Sequence, residues 1–211
     1  MTTIWGPLGW MTLHSVATSY PERPTPVEQS LMSTWLDMFR DTITCPSCKG
    51  HFTELLASYR ARFPNMMQSR QEFALFSFRA HNSVNRRLNK PVYSSVDECM
   101  ATLKANIRTR TARDYRVSYV NHITRHWRTF QDVSGIAALK KIVEMKKIED
   151  EYINPRDTSF TVPIYPDVVI LPMGILEANT EAPAPGRPAV RFAPGGPRRA
   201  LVLGAGGFRM R

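Results

Sequence analysis

Through the first 115 residues apolar side chains recur three and four positions apart, and no stretch alternates with the two-residue period of a strand. Prolines punctuate that pattern. Pro7 stands where a helix can begin, and Trp10, Leu13, His14, Ala17 and Tyr20 follow it at helical spacing. Pro21, Pro24 and Pro26 end this helix in a stiff turn. A second helix is predicted from Val27 to Asp41 on Leu31, Trp35, Met38 and Phe39. A third runs to Arg62, where Phe63-Pro64-Asn65 breaks it. The fourth spans Ser69 to Asn89 with Phe73, Phe76, Ala80, Val84 and Leu88 as one stripe, stopped by Lys90-Pro91. Ser95 and Glu98 make a capping-box pattern at the head of a fifth, Val96 to Arg113. Without strands, such stripes bury only against one another, so residues 1–115 read as an all-α helix bundle.

Beyond that bundle the pattern changes. Tyr115 to Phe130 and Ile136 to Ile148 are helical, joined at Asp132-Val133-Ser134-Gly135. Thr161-Val162-Pro163 and Val168-Val169-Ile170-Leu171 are short, proline-interrupted segments that suit packing on the bundle better than pairing into a sheet. From Glu177 onward Ala, Pro and Gly make up half the residues, which predicts a disordered tail. The expected organisation is therefore 1–115, a helical and extended segment 116–176, and the tail 177–211. No run of apolar residues is long enough to span a membrane, and the N-terminus lacks the basic and apolar regions of a secretory signal. The net charge of +10 is uneven: seven Lys or Arg lie between Lys104 and Arg128 against one Asp. That bias suits an acidic surface or nucleic acid, or simply a solvated basic face, and no nucleic-acid motif accompanies it.

The third helix opens on Thr44-Cys45-Pro46-Ser47-Cys48, and a Cys-x-x-Cys pair there lies at the positive end of the helix dipole. That position lowers a thiol pKa and eases cycling between dithiol and disulfide. A zinc site would need two more ligands at tight spacing, and only Cys99 and His51 are offered. A structural disulfide across two residues closes too small a loop to stabilise much. A redox pair is the reading that remains, and three cysteines in all suit a reducing compartment with one catalytic exception. The fourth helix carries His81, Asn82, Asn85 and then Lys90 within an aromatic segment, and the first adds Trp5, Trp10, His14 and Tyr20. Such residues more often build a core; beside a redox dithiol they suit a flat aromatic cofactor.

In order, Trp5-Gly6-x-x-x-Trp10-x-x-Leu13-His14-x-x-Ala17, Tyr20-Pro21-x-x-Pro24-Thr25, Cys45-x-x-Cys48-x-x-His51-Phe52 and His81-Asn82-x-Val84-Asn85-x-x-Leu88-x-Lys90-Pro91 resemble the Erv/ALR family of FAD-linked sulfhydryl oxidases over residues 4–105. The compact form is most similar to the versions carried by large cytoplasmic DNA viruses. The resemblance implies a four-helix bundle plus a short fifth helix around FAD, as a homodimer through the first two helices. It implies flavin contacts from Trp5, Gly6, Trp10, His14, Tyr20, His51 and Phe78, and from His81, Asn82, Val84, Asn85, Leu88, Lys90 and Tyr93. No metal is implied. Cys48 would be the sulfur nearer the flavin and Cys45 the one that substrate thiols attack, with molecular oxygen taking the electrons and giving hydrogen peroxide. Lys90 would stabilise negative charge on reduced flavin, or else serve as a solvated helix-end cation.

Two departures matter. The family's structural disulfide after Lys-Pro is missing, since Cys99 has no partner nearby, and the family's distal shuttle pair is absent. A protein dithiol or thioredoxin-like substrate would then reach Cys45 directly or through another protein. The expected setting is the host cytoplasm or the virion of a large DNA virus. The rival expectation is a virion or interaction protein that kept the fold without turnover, and a flavin spectrum separates the two.

Overall fold

Seven α-helices, and no strand, make up the residues that the computed structural model describes, 2–165. They are α1 (Thr2–Ser19), α2 (Pro26–Asp41), α3 (Pro46–Arg62), α4 (Arg70–Arg87), α5 (Val96–Asn106), α6 (Ala112–Trp127) and α7 (Val133–Ile148). A π-helical turn, Glu149–Ile153, and a 3-10 turn, Asn154–Arg156, continue α7. Most starts follow from short polar side chains that satisfy the first free N–H groups. The Thr25 hydroxyl accepts from the Glu28 N–H while the Glu28 carboxylate accepts from the Thr25 N–H at 2.8 Å, and Pro26 follows where no N–H is needed. Ser69 accepts from the Glu72 N–H and Ser95 from the Glu98 N–H. The Glu98 carboxylate does not close that box. It accepts from the N–H and hydroxyl of Ser94 instead.

Two sequence expectations are corrected. Pro7 lies inside α1, which starts at Thr2. A proline there forfeits one backbone bond in the second turn, just past the first four N–H groups, which lack helical partners in any case. The expected fifth helix ends at Asn106, and α6 starts at Ala112. A second capping box imposes that restart: the Thr111 hydroxyl accepts from the Asp114 N–H, and the Asp114 carboxylate accepts from the Thr111 N–H at 3.0 Å.

α1 is packed between α4 and α6, and α2 between α3 and α7. Trp35, Phe39, Phe52, Tyr59, Phe73 and Phe76 fill the bundle interior. Tyr119 of α6 joins them, wholly buried and stacked on Phe39 with ring centres 5.1 Å apart. The later helices thus complete the main core, and the expected boundary at residue 115 falls inside α6. A second, smaller cluster gathers Met11, Phe78, Val96, Cys99, Phe160 and Ile164. Phe160 and Ile164 pack there from either side of Thr161-Val162-Pro163, whose own side chains stay outside the cluster, and the segment forms no strand. Val168–Leu171 and the tail 177–211 lie outside the described residues.

Arg116, counted above within a basic run, is fully buried. Its guanidinium donates to Glu149 at 2.8 Å, to Asn154 and Asp157 each at 2.8 Å, and to Ser15 of α1. This network ties the end of α7 to α1 through α6, and it withdraws one cation from the surface. Gly135 makes the α6–α7 turn passable: a Cβ there would stand 2.1 Å from the Phe130 carbonyl oxygen.

Candidate active site

Cys45 is the N-cap of α3 and Pro46 its first residue, so the Cys-x-x-Cys does open a helix. The two cysteines are disulfide-bonded, and the Cys45 Sγ accepts from the Cys48 N–H at 3.3 Å. A thiolate formed there gains from the exposed N–H groups and the positive end of the helix dipole. The segment before the pair is clamped from three sides. Lys49 Nζ donates to the Asp41 carbonyl at 2.9 Å, Trp127 Nε1 of α6 donates to the Thr42 carbonyl at 2.9 Å, and Lys141 of α7 pairs with the Asp41 carboxylate. Burial alone would raise the Asp41 carboxyl, but Arg40 and Lys141 hold it below the usual carboxylate range.

Both cysteines line a cavity of about 390 Å³ between α1, α3, α4 and α5. Trp5, Gly6 and Trp10 line it from α1, and His51 from α3 beside the disulfide. His81, Val84 and Asn85 line it from α4 and Leu88 from its C-cap, at spacings that keep one face of a helix together. Lys90 and Tyr93 complete it from the turn after α4. That turn is shaped locally: Asn89 adopts a φ of 52°, Lys90 N–H donates to the Asn85 carbonyl at 2.8 Å, and the Asn85 side-chain amide donates to the Pro91 carbonyl at 3.0 Å. Trp10 and His81 stack with centres 4.2 Å apart and planes 9° from parallel, and Tyr93 meets His81 edge-on at 5.3 Å.

Four residues assigned to the cofactor by resemblance stand elsewhere. Asn82 is buried, with its amide donating to the Tyr93 carbonyl and its oxygen accepting from the Tyr93 N–H, both at 2.9 Å. It fastens the turn to α4 and does not line the cavity. Tyr20 donates to the Met67 carbonyl at 2.9 Å and packs edge-on against Phe73, inside the core. Phe78 belongs to the smaller apolar cluster. His14 sits one layer behind the wall, with its Nε2 at 3.0 Å from His81 Nδ1. The sequence reading missed Arg87 on α4 and Leu103 and Asn106 on α5, which also line the cavity. Arg87 lies three residues beyond Val84 on the same helix face, so its place was legible; the α5 pair was not, because helix–helix geometry sets it.

The residues present fit a flat, polyphosphorylated aromatic group such as FAD. Trp5 Nε1 is buried without a hydrogen-bond partner, on a residue that lines the cavity, and an N–H so placed is costly until an acceptor meets it. Aromatic planes suit a ring system, and Arg87 and Lys90 are cations suited to a pyrophosphate. Cys99 lies apart, free and buried, and burial pushes its thiol up to about 12.

Fold and site together define a helical-bundle protein whose redox-capable disulfide opens onto an aromatic cavity. Residues 8–108 match the Erv1/Alr family. The protein 347L of Invertebrate iridescent virus 6 is 35% identical over 92 residues, 42% of this chain and 83% of its own length. The FAD-linked sulfhydryl oxidase of African swine fever virus is 32% identical over 90 residues, 43% of this chain and 72% of its own length. The mitochondrial FAD-linked sulfhydryl oxidase ERV1 of Saccharomyces cerevisiae is 35% identical over 88 residues, covering 42% of this chain and 44% of its own length. No solved structure matches. The chain belongs to the Erv1/Alr family.

Proposed function

We propose that this chain is an FAD-linked sulfhydryl oxidase that forms disulfide bonds in protein thiols. The observation that carries the reading is that the Cys45–Cys48 disulfide caps a helix and lines the same cavity as Trp10, His81 and Tyr93. Relatives named as FAD-linked sulfhydryl oxidases support it. A substrate thiolate attacks Cys45 Sγ and breaks the Cys45–Cys48 bond, leaving a mixed disulfide and a Cys48 thiolate. A second substrate thiol attacks the substrate sulfur, forms the product disulfide and releases Cys45. Cys48 takes the inner role because it packs against the main core. Bound FAD would supply a two-electron acceptor for the dithiol and hand those electrons on to oxygen, giving hydrogen peroxide. Trp5, Gly6, Trp10, His51, His81, Val84, Asn85, Leu88, Lys90 and Tyr93, which line the cavity, would hold it, and Lys90 would balance negative charge. Purified protein should show a flavin absorption spectrum; a folded, colourless protein that takes up no added FAD would overturn this and favour a purely structural role.

The α1–α2 surface, through which the resemblance implies two copies pair, carries α6 and α7 of the same chain. We take that surface to be partly covered within one chain, which leaves less of it for a homodimer; sedimentation of the purified protein, which should then run as a monomer, tests this. Viral relatives favour a host-cytoplasmic or virion setting, and no described helix is long and apolar enough to cross a membrane.

A further inference from the structure

A line of three side chains leads from the bundle core to the cavity wall. Ser77 Oγ lies 2.8 Å from the Ala74 carbonyl oxygen and 2.9 Å from His14 Nδ1. His14 Nε2 lies 3.0 Å from His81 Nδ1, and His81 lines the cavity. Ser77 and His14 are buried. Two oxygens at 2.8 Å repel unless a proton lies between them, and a carbonyl has none to give, so the single Ser77 proton points at Ala74. Ser77 therefore accepts from His14, which places the His14 proton on Nδ1. A neutral imidazole carries one N–H, so His14 Nε2 is bare and must accept from His81 Nδ1–H. Both rings are neutral: burial holds the His14 pKa near 3, and burial with the nearby His14 and Lys90 holds His81 well below its ordinary value.

We infer that Ser77 is a positioning residue, fixing through His14 the tautomer of His81, so that the cavity offers its ligand a bare hydrogen-bond acceptor at His81 Nε2. The ligand atom met there is a neutral donor, a hydroxyl or an amino group. A phosphate or carbonyl oxygen would set lone pair against lone pair. If the cavity holds FAD, as proposed above, a ribityl or ribose hydroxyl or the adenine amino group meets His81, and the pyrophosphate lies nearer Arg87 and Lys90. Removing the Ser77 hydroxyl should invert the line, because a buried His14 Nδ1–H would lose its acceptor. His14 would then donate from Nε2 to His81 Nδ1, and His81 would present an N–H to the cavity.

Long-range proton–nitrogen NMR on histidine-labelled protein reads both tautomers directly, with and without FAD. In the cofactor-free protein, His81 should carry its proton on Nδ1. Ser77→Ala should move it to Nε2 and weaken FAD binding by roughly tenfold or more. Ser77→Thr should restore both. A proton on His81 Nε2 in the unsubstituted protein would overturn the proposal by itself, even if Ser77→Ala failed to fold. An inverted tautomer with unchanged FAD affinity would overturn the assignment of the ligand donor. If no FAD binds at all, the oxidase reading fails, and the tautomer in the cofactor-free protein still decides this one.

Discussion

Cys45 caps α3 with its sulfur, a position usually taken by Ser, Thr, Asp or Asn, and so couples the redox state of the pair to the start of a helix. Cys45→Ser and Cys48→Ser should each abolish thiol oxidation while FAD stays bound. With Cys45→Ser the remaining Cys48 thiolate should add a long-wavelength absorption band against oxidised flavin. The band appearing in Cys48→Ser instead would reverse the two sulfurs' roles. Cys99→Ser should keep most activity, because Cys99 is buried, unpaired and packed as a small apolar residue; loss of turnover would contradict this. His14 and His81 set a pH dependence. Unfolded histidine takes up a proton near pH 6.5, whereas folded His14 does so only near 3. Between those values the unfolded chain binds more protons, so stability is fully present above about 6.5 and declines as pH falls, by up to about 1.4 kcal/mol per pH unit for each ring. Melting temperatures that stay flat from pH 7 to 5 would contradict the buried, neutral pair.

At the scale of elements, α6 and α7 hold both the core and the redox loop. Arg116→Met would leave buried Glu149 and half-buried Asp157 without their cation, at a cost of about 3–5 kcal/mol. Denaturant unfolding measures this, and a loss under 1 kcal/mol would show the network is not needed. The sequence made most helix starts legible, since Thr25, Ser69, Ser95 and the Cys45-Pro46 step are local signals. It also carried the restart at Thr111-x-x-Asp114, which the continuing apolar pattern of Leu103 and Ile107 obscured. His81, Val84 and Asn85 of α4 share one face with the capping Leu88, and strict helical periodicity would have set Asn82 aside from it. Arg116 was beyond reach. Three of its partners lie 33 to 41 residues further along and Ser15 lies 101 residues back, and nothing in a basic run marks one member as buried.

For the whole molecule, residues 2–165 should melt as one unit, because Tyr119 and Arg116 join the later helices to the first bundle. A chain ending at Leu176 keeps every described residue and should fold, bind FAD and turn over like the full protein. Ending it near Arg113 exposes α1 and α2 where α6 and α7 lay, and should lower the melting temperature or leave the protein insoluble. Equal melting temperatures for the two would make α6 and α7 an independent module. The central claim is that Cys45 and Cys48 pass electrons from thiols through bound FAD to oxygen. Oxygen uptake on adding dithiothreitol to the purified protein tests it most directly. The account predicts steady consumption with hydrogen peroxide formed, lost in Cys48→Ser despite bound flavin. Uptake that persists in Cys48→Ser, or a flavin-loaded protein that consumes no oxygen, would contradict it.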